Sequence, residues 1–250
     1  MIDLLVERSA KGGPWMAHWV DGIGCCWIDR DWDALAHRAK AEAGRYAAWR
    51  SAWQRGFGLP SGEARVVETV QTGGGPVGVS GSPMAICAGD RAPAAITNVI
   101  EAFEVADHAW IELERLIARL TPARRSIPPS TGKRTIEETL EHLGNCFWWY
   151  CSRIDDDLPE WPDAGLSPEE RARSFLRMAR AWCIKRAEAD SRTVPVKVPA
   201  RYPTDDPTEQ WTLGKVIRRQ AEHLWEHRET IERDTASLSR TRDDHGSSVK

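Results

Sequence analysis

The rhythm of hydrophobic and polar positions along the 250-residue chain changes near residue 90. Before that point apolar runs are short and glycine breaks them. Ile2–Glu7 and Trp15–Val20 are strand-length runs, separated by the turn cluster Lys11-Gly12-Gly13-Pro14. Asp21-Gly22 and Gly24 interrupt the second run, and Cys25–Ile28 is a short third one. Asp31 suits an N-cap, because its carboxylate can accept from the orphaned amides of a first turn. The helix it opens is predicted to run to about Trp53, with Leu35, Ala39, Tyr46 and Trp49 among its apolar positions. Arg65–Val70 reads as a fourth strand. The stretch Gln71–Pro83 contains five glycines and cannot continue a helix, so it is expected to be a turn, a hairpin or a junction.

After residue 90 the period lengthens to that of helices, and four are predicted. The first spans about Ala94 to Leu120, with Ile100, Phe103, Ala106, Trp110, Leu113, Ile117 and Leu120 on a helical period. Pro122 and Ile127-Pro128-Pro129 stop it. The second opens at Thr135 with Glu138 three residues on, a capping box in which each side chain satisfies the other residue's backbone amide. Ile136, Leu140, Leu143, Phe147, Tyr150 and Ile154 form its stripe. The third opens at Ser167-Pro168-Glu169-Glu170, with Ser at the cap and Pro at the first helical position, and carries Phe175, Met178, Trp182 and Ala189. The fourth follows Gln210-Trp211-Thr212 and turns Leu213, Val216, Ile217, Leu224 and Ile231 inward. Four such helices make a natural antiparallel bundle. The expected organisation is therefore α+β with two domains: a small α/β domain over 1–90, a four-helix bundle over 91–236, and a polar, frayed tail over 237–250.

Composition narrows the function classes. No apolar run approaches the length of a membrane helix, so no membrane association is expected. The N-terminus lacks the basic and apolar regions of a signal peptide, so the expected compartment is the cytoplasm. A net charge of −3 with interspersed signs gives no electrostatic footprint for nucleic acid. The six cysteines have no C-x-x-C spacing and read as reduced thiols. Thirteen tryptophans against three tyrosines and four phenylalanines are the compositional oddity. Most are expected to fill two small cores, with Trp149 and Trp225 as candidates for the wall of a site.

Three of the seven histidines carry the candidate chemistry. His223 and His227 are four apart on the last predicted helix, so both imidazoles lie on one face a turn apart and can reach one ion. His142, near the start of the second helix, can complete the pair from a neighbouring helix. Spacing alone leaves a solvated helix face equally open. Cys146, four residues after His142, reads as a small buried apolar residue ahead of a ligand or redox partner. Glu222 and Glu226 are expected to face solvent or to support the ligands, and His18 at a strand end is expected to be structural. The stretch His223-Leu224-Trp225-Glu226-His227 also spells H-x-x-E-H, with Glu226 as the base of an inverted zincin protease. Only twenty-three residues follow His227, so that fold is not expected.

Two resemblances add to this reading. Ala17-His18, Asp21, Gly24-Cys25 and the Asp31 helix start resemble the HicB-like α/β domain over roughly residues 1–70, without the proline usual in its turn. That resemblance implies a protein-binding or structural module. The run TIEETLEHLGNCFWWYCSRI, followed by QWTLGKVIRRQAEHLWEHRETI, resembles the DinB-like superfamily of metal-binding four-helix bundles over roughly 86–233. Its carriers are His142-Leu143 and the His223/His227 pair; Arg134 stands where members often have Trp. This resemblance implies metal ligation by His142, His223 and His227; zinc or nickel fits imidazole ligands, with manganese and iron left open. It also implies a low-molecular-weight thiol as a second cofactor, a small-molecule substrate and thiol S-transfer, or hydrolysis by the same site. The alternative is a non-catalytic, metal-stabilised binding or regulatory protein whose HicB-like part contacts a partner or forms a homodimer.

Overall fold

A computed structural model of the chain describes residues 1–73, 84–130, 132–155, 158, 165–189, 195–202, 204 and 209–240. Its first part is a four-stranded sheet of β1 (Ile2–Ser9), β2 (Trp15–Trp19), β3 (Cys26–Asp29) and β4 (Ala64–Thr72), with α1 (Trp32–Ser51) between β3 and β4. The strand order is β3-β2-β1-β4. β1, β2 and β3 pair antiparallel, as short turns allow, whereas β4 returns through α1 to lie parallel to β1. The cap predicted at Asp31 is present: its carboxylate accepts from the amides of Asp33 and Ala34 at 2.8 and 3.4 Å.

The second part is helical: α2 (Ile96–Ile117), the single turn α3 (Pro122–Arg125), α4 (Ile136–Ser152), α5 (Pro168–Ala189) and α6 (Leu213–Arg240). A two-residue ribbon of β5 (Val196–Lys197) and β6 (Gln210–Trp211) precedes α6. Both predicted capping boxes form. Glu138 N donates to Thr135 Oγ1 at 3.1 Å and Thr135 N to Glu138 Oε2 at 2.7 Å; Ser167 and Glu170 exchange the equivalent bonds at 3.3 and 3.0 Å. α2 packs on α6, α4 on α5, and both α4–α6 and α2–α5 contacts close the set. α3 was not expected; Pro122 starts it behind the Thr121 cap rather than merely ending α2. The helix α6 continues to Arg240, past the tail boundary expected at 237. Residues 241–250, most of the glycine-rich stretch and Trp161 lie outside the described residues. No helix among the described residues is long and apolar enough to cross a membrane.

The expected pair of separate aromatic cores is instead one apolar cluster running through both parts. Strand alternation explains this. Leu4, Val6, Ala17 and Trp19 share one face of the sheet, which packs against Leu35, Ala39, Ala43 and Tyr46 of α1. The rings of Tyr46 and Trp49 then meet Trp225 of α6 at 5.0 and 4.7 Å between centroids. Trp225 is thus a junction residue between α1 and α6. Gly24, at φ +93°, brings the β2–β3 turn onto the α2–α6 groove; a Cβ there would sit 3.1 Å from Val105 and 3.4 Å from Ala221.

The other sheet face carries Glu7, Met16, His18 and Cys26, and it covers α6. α6 is therefore buried on almost every side of its first half. Lys215, Arg219, Gln220, Glu222 and His223 are all at most 3% exposed. A helix that reads as amphipathic in sequence has its polar face covered by the sheet.

Candidate metal centre

α4 and α6 bring the three predicted histidines together. Gln220 of α6 donates to the Phe147 carbonyl of α4 at 3.0 Å, which fixes the two helices one turn before His223. The His142 ring lies 5.2 Å from both His223 and His227, and the latter two are 4.5 Å apart, centroid to centroid. His223 is only 1% exposed, whereas His142 and His227 are half-buried. Both ring nitrogens of His223, and Nδ1 of His227, are buried without a hydrogen-bond partner. Buried polar atoms normally find partners, so three orphaned imidazole nitrogens facing a shared space mark a place for a ligand.

The rings are neutral near pH 7. Burial, then the Arg134 guanidinium, pulls His142 down to about 4. Burial, His142 and Arg134 together pull His227 down to about 3. His223 is held well below its ordinary value by burial first and by its two histidine neighbours next. Neutral imidazole is the form that ligates a metal, so no proton has to leave these rings before an ion binds. The donor set therefore fits a divalent transition-metal ion.

Cys146 sits closer to this centre than an apolar reading of it implies. Its Sγ lies 3.6 and 3.7 Å from the two ring nitrogens of His142. Donor atoms of His142, Cys146 and His223 all lie within 4.8 Å of one another, so these three make a tighter group than the histidines alone. Burial pushes the free thiol up to about 12. The ring against His223 is Tyr150, at 5.7 Å, and not Trp225, which turns towards α1. Glu226 approaches His223 Nδ1 at 3.8 Å, and burial pushes its carboxyl up to about 8.

A second cluster, on the sheet side of α6, was not foreseen. Glu222 does not face solvent. His18 Nδ1 lies 2.6 Å from its Oε1, and His18 Nε2 lies 3.2 Å from Glu7. Arg218 forks onto Asp90 with two bonds of 2.8 Å and also reaches Glu222 at 3.0 Å, while Arg219 reaches Glu222 at 2.7 Å. Burial alone would favour neutral forms here, but the opposite charges win. Glu222 and Glu7 hold His18 up at about 9, and His18 with the two arginines holds Glu7 down at about 2. His18, expected to be structural, is held here as a cation between two buried carboxylates. The cluster walls a cavity of about 480 Å³ that the three metal-site histidines do not line. Its local signs in the sequence are the Arg218/Glu222 and Arg219/Glu222 spacings of four and three.

No curated protein and no solved structure matches the chain. The sequence profile of the DinB superfamily matches residues 106–231. That is just over half of the chain, from within α2 to within α6, and it holds the three histidines and Cys146. The chain belongs to the DinB superfamily.

Proposed function

We propose that the chain is a divalent-metal-dependent enzyme whose ion is held by His142, His223 and His227. We read α2, α4, α5 and α6 as an antiparallel four-helix bundle over 91–236, and residues 1–90 as a HicB-like domain. The strand-strand-strand-helix-strand order supports that last reading. One observation carries the metal proposal: a fully buried imidazole, His223, has both nitrogens unpartnered and two further rings turned to the same space. Burying such a ring without a partner costs about 1–3 kcal/mol for each orphaned polar group, and a bound ion removes that cost.

The reaction proposed is S-transfer from a low-molecular-weight thiol to a small electrophile, in the cytoplasm. A divalent ion held by His142, His223 and His227 would lower the pKa of an incoming thiol and so favour its nucleophilic form. His142 and His227 are half-buried and His223 is buried, so a thiol would approach the centre from the His142/His227 side. Tyr150 and Gln220 hold the anchor in place. His142→Ala is expected to abolish metal-dependent conjugation of a chromogenic electrophile across a panel of small thiols. Wild-type protein loaded with zinc or nickel that turns over no thiol in such a panel would remove the transferase reading and leave the metal site standing.

A non-catalytic, metal-stabilised regulatory protein is the second reading. The observation favouring it is Cys146 beside His142, because four protein donors close a site and closed sites are structural.

A further inference from the structure

We propose that Cys146 is a fourth protein ligand of the ion held by His142, His223 and His227, so that the resting donor set is three imidazoles and one thiolate. This rests on the metal-binding reading above and deepens it. The placement follows from α4: positions 142 and 146 are one turn apart on the same helix face. The sulfur lies 3.6 Å from the nearer His142 nitrogen, and donors of His142, Cys146 and His223 lie within 4.8 Å of one another. Donors bound to one tetrahedral zinc at its usual bond lengths are roughly 3.5 Å apart, so small side-chain rotations would gather these three. The His227 ring lies 5.2 Å from His142 and 4.5 Å from His223, centroid to centroid, and would complete the set. The independent sign of a ligand is His223, 1% exposed with both ring nitrogens unpartnered, facing the same space.

On ligation the Cys146 S–H bond breaks, its electron pair forms the sulfur–metal bond, and its proton leaves to solvent. The thiolate then offsets one of the ion's two charges in a place where the three imidazoles bring none. An incoming small thiol has to take the position that Cys146 holds. Its proton would pass to the Cys146 sulfur as its own sulfur replaced that sulfur as the ligand. Cys146 is thereby a placeholder for the substrate thiol, and the two readings of the site differ only in whether that exchange occurs.

The test is cobalt(II) loading of the full-length protein, reduced with a phosphine so that no external thiol is present. Wild type is expected to show an intense near-ultraviolet sulfur-to-cobalt band at one cobalt per chain. Cys146→Ser and Cys146→Ala should lose that band while still taking up cobalt. Cys151→Ala, a buried cysteine further along α4, should keep it. Adding 2-mercaptoethanol to the Cys146→Ala protein should restore the band, at lower thiol concentrations than any change in wild type. Cobalt bound by wild type with no sulfur band, or a band that survives in both Cys146 variants, overturns the inference and leaves the three-histidine reading intact. A wild type that takes up no cobalt overturns both.

Discussion

Metal-free His223→Leu protein is expected to be more stable than metal-free wild type. Leucine has a comparable size and no polar atoms, so it removes two buried nitrogens that have no partner. Each orphaned polar group costs about 1–3 kcal/mol, which sets the scale of the gain. Metal reverses the ranking. An ion at a thousandfold excess over its dissociation constant stabilises the native state by about 4 kcal/mol, and the variant forfeits that linkage. Urea unfolding with and without zinc measures both effects. A variant that is less stable than wild type by the same amount in both conditions would make His223 an ordinary core residue. The opposite signs matter because a purely structural histidine cannot produce them.

The largest loss of stability is expected from Glu222→Gln. The substitution keeps the size but removes the charge that faces His18, Arg218 and Arg219. Breaking a buried ion pair by removing one partner typically costs about 3–5 kcal/mol, because the remaining charges stay buried. The same cluster predicts a pH dependence. His18 is raised from 6.5 to about 9 by Glu222 and Glu7 against the effect of burial, so its contribution is complete below pH 6.5 and is lost as pH rises through 9. Glu7 is lowered from 4.5 to about 2, so its contribution is present above pH 4.5 and is lost as pH falls through 2. Lys215 acts the other way on the alkaline side: burial lowers it to about 7, so rising pH relieves a penalty there. The comparison that isolates His18 is therefore wild type against His18→Gln. The stability difference between them should shrink by on the order of 3 kcal/mol between pH 6.5 and 9.5. A difference that stays constant over that window would contradict a charged His18.

What was legible in the chain was what is local. The capping boxes at Thr135 and Ser167 join residues three apart, and both helices start where those boxes place them. The His223/His227 pair is a helix-face argument within one turn, and the two rings lie 4.5 Å apart between centroids. His142 was a candidate only because a bundle can set a second helix beside the pair; nothing local ties α4 to α6, and the family resemblance was what singled it out. What was not legible is long-range. His18 and Glu222 are 204 residues apart, and a polar helix face gives no sign of whether water or a sheet covers it. Reading α6 as amphipathic offered Glu222 either solvent or a supporting place beside the ligands, whereas Met16, His18 and Cys26 of the sheet lie over that face. Trp225, one of two rings offered for a site wall, shows the same long-range dependence: it packs on Tyr46 and Trp49 of α1. Cys146 was the reverse case, a residue whose spacing from His142 was informative and whose small size suggested filler.

The most direct test of the central claim is zinc stoichiometry by native mass spectrometry. Full-length protein, stripped with a chelator and then given zinc, is predicted to take up one ion per chain. His142→Ala, His223→Ala and His227→Ala are each predicted to weaken uptake by about a hundredfold or more, beyond what loss of an outer-shell partner costs. Wild-type protein that stays metal-free under excess zinc, or three histidine variants that all bind as wild type does, would contradict the account.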